Sequence, residues 1–205
     1  MSLTIPDVSA ARAQLWDAGF RPVPVLTGDK KPLGNDWTTR ARQDPPESVR
    51  MAPVAHALNT GILADGLVPI DIDIDDPAIA RQARALVLDR LGEAPMRFRR
   101  NSPRCLILYR AAEGEPSKLT LTGGAHSDDN ACKIEILGRG NQFVAYGSHP
   151  SGADLEWFPE PPGHEALSAL TAVTVDHRRA AASSIRSPAA AAQAKPPCCS
   201  ASIAR

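Results

Sequence analysis

The sequence predicts an α+β fold, and two observations carry that prediction. Residues 66–74 alternate isoleucine or valine with aspartate or proline, the period of two that is typical of a strand with one buried face. Residues 8–18 and 76–92 instead carry apolar side chains at helical spacing. Further strand-like runs lie around these segments, so we expect strands interleaved with two helices in one domain.

The first helix is followed by a strand and a basic loop. Gly19 supplies a stop for the helix, and residues 20–26 after it look extended. The next segment, 27–34, combines turn-forming residues with Lys30 and Lys31. We therefore expect this loop to hold positive charge at the end of a strand.

The second helix has clear signals at both ends. Asp76 resembles an N-cap, Pro77 suits the first helical position, and Gly92 ends the segment. Three later runs are rich in β-branched or aromatic residues, and the last two are separated by Gly138-Arg-Gly-Asn141, which is hairpin turn chemistry. The predicted strands are 105–109, 133–137 and 142–146, the last two forming a hairpin.

The domain is expected to span residues 5–175. From residue 178 to 205 the chain is rich in alanine, serine and proline, with almost no large apolar side chains to bury. We interpret 178–205 as a disordered tail.

Composition limits the classes of function. The chain of 205 residues has 23 Lys and Arg against 23 Asp and Glu, so any binding of nucleic acid must use a local basic patch. The four cysteines lack zinc-finger spacing, which argues against a structural zinc site. No stretch is apolar enough to span a bilayer and no signal peptide is evident, so a cytoplasmic location without membrane partners is expected.

Asp71 and Asp73 are the first candidates for chemistry. Alternate residues of a strand point the same way, so the two carboxylates share one face at roughly 6–7 Å spacing. A divalent cation is the simplest way to offset their mutual repulsion, although a solvated strand edge is the structural alternative. An EF-hand loop is excluded, because Asp76 and Gln82 occupy the positions where that motif needs glycine and glutamate.

Glu135 is the third candidate acid. Ile134 and Ile136 are expected to face the core, which turns Glu135 and Lys133 to the opposite side. If this strand neighbours the one with Asp71, the three carboxylates form a site of the kind that holds two Mg²⁺ or Mn²⁺ ions. An exposed Glu/Lys strand face is the alternative.

Several segments, in this order along the chain, resemble the N-terminal domain of bifunctional primase-polymerases of phages and plasmids. The resemblance covers roughly residues 10–160, and the joint pattern is more specific than any single motif. The segments are Gly19-Phe-Arg-Pro-Val-Pro-Val25, Lys31-Pro32, Asn59-Thr-Gly-Ile62, Val68-Pro-Ile-Asp-Ile-Asp-Ile74, Ile134-Glu-Ile-Leu-Gly138, Gln142-Phe-Val-Ala145, Gly147-Ser-His-Pro-Ser-Gly152 and Glu156-Trp157.

This resemblance implies an archaeo-eukaryotic primase-like core with a mixed or antiparallel sheet flanked by helices. It implies that Asp71, Asp73 and Glu135 are the catalytic ligands of a two-metal site occupied by Mg²⁺ or Mn²⁺. It further implies that His149 lies on a loop near that site and contacts phosphate, the alternative being a histidine in an ordinary turn.

One departure from the family concerns the nucleotide. Many members carry a Ser-x-His motif on the strand between the metal acids, and the corresponding segment 99–110 has no histidine. Arg100 or Arg104 is expected to hold the triphosphate instead, as a guanidinium clamp, with Lys30, Lys31 and His149 as further phosphate-binding candidates. A solvated basic edge, or an impaired site, is the alternative.

The function expected from the resemblance is that of a DNA primase/polymerase, a metal-dependent nucleotidyltransferase in DNA replication. Its partners would be a DNA template and primer, (d)NTPs, and a helicase in the same chain or separate. The main alternative is a truncated, non-catalytic replication module that binds DNA or nucleotides. A metal-dependent nuclease is a third interpretation, because acid triads also serve phosphodiester hydrolysis.

Overall fold

The computed structural model describes residues 5–43, 46–51, 55–122, 132–174 and 176. Within these ranges the chain forms α-helices, β-strands and one short 3-10 helix at Leu167–Ala169. The α-helices are α1 (Ile5–Asp17), α2 (Trp37–Gln43), α3 (Pro46–Met51) and α4 (Pro77–Leu91). The strands are β1 (Pro22–Val25), β2 (Asn59–Leu63), β3 (Leu67–Ile74), β4 (Met96–Arg99), β5 (Cys105–Ala111), β6 (Leu119–Thr122), β7 (Cys132–Ile136), β8 (Gln142–Tyr146), β9 (Leu155–Phe158) and β10 (Ala172–Val173).

The strands form two sheets, which confirms the predicted α+β class. A three-stranded antiparallel sheet has the order β1-β2-β8. The larger sheet has the order β6-β7-β3-β5-β4-β9, all antiparallel, and β10 adds a short parallel pairing at the end of β5. None of the helices in the described ranges is long and apolar enough to cross a membrane.

Strand β3 has two different faces, and this difference places the site. Ile70, Ile72 and Ile74 are buried in a core cluster that includes Val87 and Leu91 of α4. On the other face, near the start of the strand, apolar side chains of both sheets form a second cluster that includes Leu67, Leu106, Leu137 and Phe143. Further along this face the aspartates replace apolar residues, and a cleft lies between the two sheets.

The signals at the helix ends are confirmed. The Asp76 carboxylate accepts hydrogen bonds from the backbone N–H groups of Ala78 and Ile79, at 2.8 and 2.9 Å, so it caps α4. Gly92 follows the helix with a φ of 88°, and Gly19 follows α1 with a φ of 92°. Such angles favour glycine, which explains why each helix stops where it does.

The predicted hairpin of 133–137 with 142–146 is wrong, although both strands exist. Strand β7 pairs with β3 and β6, whereas β8 pairs with β2 in the other sheet. The turn at 138–141 therefore carries the chain from one sheet to the other. Gly138 packs so tightly there that a Cβ would lie 2.0 Å from the Pro116 carbonyl oxygen. The predicted tail, 178–205, lies outside the described residues.

Arg12 connects α1 to the small sheet. Its side chain is fully buried, and its guanidinium donates to Thr60 Oγ1 at 3.0 Å and to the carbonyls of Ala57 and Asn59 at 2.7 and 3.0 Å. Burial lowers the pKa of Arg12 to about 10. The guanidinium thus fixes the start of β2, because three of that segment's acceptors depend on it.

We expect Arg12→Met to lower the free energy of unfolding by about 2 kcal/mol or more, because two buried carbonyls and a hydroxyl lose their donor. Urea denaturation measures the change. Arg90→Met is the matched control, since that side chain is 52% exposed. Equal stability of the two variants would contradict a structural role for Arg12.

Candidate active site

The three predicted acids lie on neighbouring strands. In the register of β3 with β7, Asp71 pairs directly with Glu135, and Asp73 pairs with Lys133. All three carboxylate residues line the cleft between the sheets. The strands are therefore neighbours, as a three-carboxylate site requires, and the isoleucines between the acids keep this face turned to the cleft.

Glu135 is held by three donors. Lys118 Nζ lies 2.8 Å from Oε1, Lys133 Nζ lies 2.9 Å from Oε2, and the Thr120 hydroxyl is 3.3 Å from Oε1. Burial opposes ionisation, but the hydrogen bonds from the two lysines outweigh it and lower the pKa of Glu135. This carboxylate is consequently ionised and oriented by its lysines.

Arg104 lies just before β5 and binds two aspartates. Its Nε and Nη2 donate to the two oxygens of Asp75, each at 2.7 Å, and its Nη1 contacts Asp73 Oδ1. The hydrogen bonds that Arg104 donates to Asp75 raise the pKa of Arg104 above its ordinary value. Asp75 is 65% exposed, so this forked ion pair sits at the mouth of the cleft.

Asp71 is held less tightly than Asp73 and Glu135. Arg97 Nη2 lies 3.9 Å from Asp71 Oδ1, which is an ion pair beyond hydrogen-bond distance. Burial raises the pKa of Asp71 although Arg97 opposes the shift, and burial lowers the pKa of Arg97. Arg97 also donates to the Val144 carbonyl, so it bridges the two sheets. Asp71 therefore keeps lone pairs for a further cation.

The donor set suits a hard divalent cation in its chemistry. Carboxylate oxygens are the ligands that Mg²⁺ and Mn²⁺ prefer. Among the described residues, however, no group of three or more histidine, cysteine, aspartate or glutamate side chains is arranged to hold an ion. The carboxylates instead face the basic side chains described above. Binding a metal would require Arg104 and the lysines to exchange partners.

The cleft has a volume of about 280 Å³, and the cationic side chains that line it close to the acids form its basic wall: Lys30, Arg97, Arg99, Arg104 and Lys118. Of the predicted phosphate-binding residues, Lys30, Arg104 and His149 line it, whereas Lys31 and Arg100 are not among its lining residues. Arg100 is 80% exposed and pairs with Glu156 at 3.5 Å. Its role in binding phosphate stays a prediction.

Arg97 and Arg99 belong to the basic cluster that the sequence shows with Arg100 and Arg104, and both line the cleft although they are outside the predicted phosphate-binding set. They alternate on β4, so their side chains share the face that the aspartates occupy on β3. The sequence showed the cluster but not this shared strand face, because β4 has only four residues, all half-buried, and lacks a clear apolar alternation.

His149 contacts Arg99 through Nε2, and its Nδ1 lies 2.9 Å from Ser151 Oγ. Burial and the nearby charges of Arg99 and Lys30 lower the pKa of His149 to about 4. An arginine has only donors, so Nε2 of the neutral ring accepts from Arg99. His149 therefore orients a guanidinium and carries no charge of its own at neutral pH.

We expect the His149 ring to remain neutral at pH 6, and Arg99→Gln to raise its pKa because a neighbouring positive charge is removed. Long-range ¹H–¹⁵N NMR measures both. The unfolded ring takes up its proton near pH 6.5 and the folded ring only near pH 4, so unfolding free energy should fall as pH drops through this window. Arg90→Gln is the control, and a wild-type ring that titrates near 6.5 would contradict the assignment.

Comparison with protein families gives one match over most of the chain. The family model described as bifunctional DNA primase/polymerase, N-terminal, matches residues 12–186. The matched segment contains the whole cleft, including the three acids and the basic wall. A comparison with curated proteins found no match.

Proposed function

The chain belongs to the bifunctional DNA primase/polymerase N-terminal family, and from that premise we propose that it is a metal-dependent nucleotidyltransferase. It would synthesise or extend a primer on a DNA template, using (d)NTPs. The observation that carries the proposal is the register of β3 with β7, which places Asp71 opposite Glu135 with Asp73 on the same face of the sheet. The basic wall of the same cleft supports it.

The acids and the bases of the cleft would have separate tasks. Asp71, Asp73 and Glu135 would hold Mg²⁺ or Mn²⁺, and the bound metal would supply charge stabilisation for the attacking hydroxyl and the leaving pyrophosphate. Lys30, Arg97, Arg99 and Arg104 would bind the triphosphate, and His149 would orient Arg99. These cations line the cleft close to the acids, so they suit a triphosphate that arrives with its metal.

The wider setting of the reaction is also part of the proposal. A role in DNA replication agrees with the family. The helicase partner, the phage or plasmid origin and the cytoplasmic location stay predictions from the sequence, as do the roles of Lys31 and Arg100 at the phosphates.

Primer extension with Mg²⁺ or Mn²⁺ tests the acids. We expect Asp71→Asn and Glu135→Gln each to lower the extension rate by about 100-fold or more, because each change removes a charged ligand of the proposed metal. Asp89→Asn makes the same chemical change at a site that is 77% exposed and serves as the control. If the wild type extends primers and Asp71→Asn extends them at the same rate, the catalytic proposal is overturned.

A second test separates the two arginines that the sequence proposed as clamps. Arg104→Gln should raise the nucleotide KM by about 10–100-fold, which corresponds to losing hydrogen bonds to a charged group. Arg100→Gln should have a smaller effect, because its side chain is 80% exposed and paired with Glu156. Steady-state extension kinetics measure both values. A larger effect at Arg100 would place the clamp outside the cleft.

One observation favours a second function, a nucleotide- or DNA-binding module without catalysis. The acids are paired with bases, and the described residues contain no group arranged to hold a metal. Such a module would bind dATP without turnover, and its affinity would be the same with and without Mg²⁺. A dATP affinity that rises with Mg²⁺ in the wild type, and no longer rises in Asp71→Asn, would contradict this second function.

A further inference from the structure

Asn59, the first residue of β2, ties two loops of the cleft together. Its side chain is 1% exposed. The amide nitrogen Nδ2 donates to the carbonyls of Asp29 and Ser148, at 3.1 and 2.7 Å. Its Oδ1 accepts from the Ser148 N–H at 3.0 Å. One side chain thus joins the loop that carries Lys30 to the loop that carries His149.

These three hydrogen bonds are specific for asparagine. The two carbonyl acceptors require both protons of an NH₂ group, and the backbone N–H requires an oxygen. An aspartate of almost the same size would turn a carboxylate oxygen against the carbonyls of Asp29 and Ser148. An alanine would leave the three backbone groups without the partner that they have here.

Gly147 makes the close approach to Asn59 possible. Its φ is 113°, and a Cβ on it would lie 2.0 Å from Asn59 Oδ1 and 3.0 Å from Asn59 Cα. Any other residue at this position would push the Ser148 backbone away from the amide. Gly152, in the same loop, also has a positive φ of 82° but has nothing within 4 Å of a Cβ.

We call the three hydrogen bonds of the Asn59 side chain the tie between the two loops. Arg12 and Gln142 support this tie with further hydrogen bonds. Arg12 donates to the Asn59 carbonyl at 3.0 Å, which holds the asparagine from the side of α1. Gln142 Nε2 donates to the Lys30 carbonyl at 2.8 Å. Two side-chain amides therefore hold consecutive carbonyls, those of Asp29 and Lys30, while the Lys30 side chain lines the cleft.

We propose that Asn59 is a positioning residue that sets the spacing between Lys30 and the His149–Arg99 pair, so that both meet one triphosphate. The identity of this anion as the triphosphate of a nucleotide rests on the proposed function. The spacing itself rests on the hydrogen bonds. Without the tie, the two loops have to be ordered when the anion binds, which weakens binding.

Anion binding by the full chain tests the proposal. Isothermal titration with inorganic tripolyphosphate and with Mg-dATP should show about 10-fold weaker binding for Asn59→Ala, the cost of roughly one ordered loop contact. Asn59→Asp should be weaker still, because its charge faces two carbonyls and repels the anion. Asn35→Asp, at an exposed position, controls for the added charge. Unchanged affinity in Asn59→Ala would overturn the proposal.

A double-mutant cycle with Lys30→Ala separates positioning from general destabilisation. If Asn59 acts partly through Lys30, Asn59→Ala should weaken tripolyphosphate binding less in the Lys30→Ala background than in the wild type. Equal losses in both backgrounds would show that Asn59 does not position Lys30.

The glycine pair gives a second variant that leaves the buried asparagine in place. Gly147→Ala should weaken tripolyphosphate binding about as much as Asn59→Ala, because it displaces Ser148 from the amide. Gly152→Ala imposes similar backbone strain in open space and should leave the affinity close to wild type. If Gly147→Ala and Gly152→Ala change the tripolyphosphate affinity equally, the proposal that Asn59 positions the loops is overturned.

Amide hydrogen exchange distinguishes failure of the tie from failure of the proposed function. Residues 28–31 and 148–151 should exchange faster in Asn59→Ala and Gly147→Ala, with protection of β3 and β5 unchanged. If exchange is faster in this way but the wild type extends no primer, the positioning role of Asn59 stands and the proposed polymerase function is overturned. Extension by the wild type, with unchanged exchange in both variants, would overturn the tie alone.

Discussion

The pairing of β3 with β7 determines the rest of the site. Side chains alternate along β3, so burying Ile70, Ile72 and Ile74 against α4 leaves Asp71 and Asp73 on the opposite face. A slip of one residue would bury the aspartates and expose the isoleucines, so the apolar face sets the register. The same register brings Glu135 opposite Asp71. Core packing and site assembly are thus two results of one constraint.

Carboxylates concentrated on one sheet face need opposing charge, and the fold supplies it from three directions. Arg97 comes from β4, Arg104 from the segment before β5, and two lysines from around β6 and β7. Two of these bases, Arg97 and Arg104, are also among the cations that we propose for the triphosphate. Under the proposed function, a metal and a phosphate that enter together would exchange partners with these ion pairs, and their charges would partly offset each other.

What the sequence could predict depended on how local each signal was. The alternation of Asp71 and Asp73 and the Asp76 cap are set by neighbouring residues, so they were predicted. The hairpin was wrong because turn chemistry at 138–141 suits a hairpin and a crossing between sheets equally, and long-range pairing decides between them. Asn59 had no such signal, since its partners lie 30 and 89 residues away.

The basic residues that line the cleft differ in how they are held. The loops that carry Lys30 and His149 are tied through their backbones to the buried Asn59, which Arg12 fixes in turn. Arg104 is held by side chains alone, and Asp75, its forked partner, is 65% exposed. Exchanging a partly exposed ion pair costs little, whereas breaking a buried backbone tie costs more. Arg104 is therefore a cation that can change partners at low cost if an anion binds as proposed.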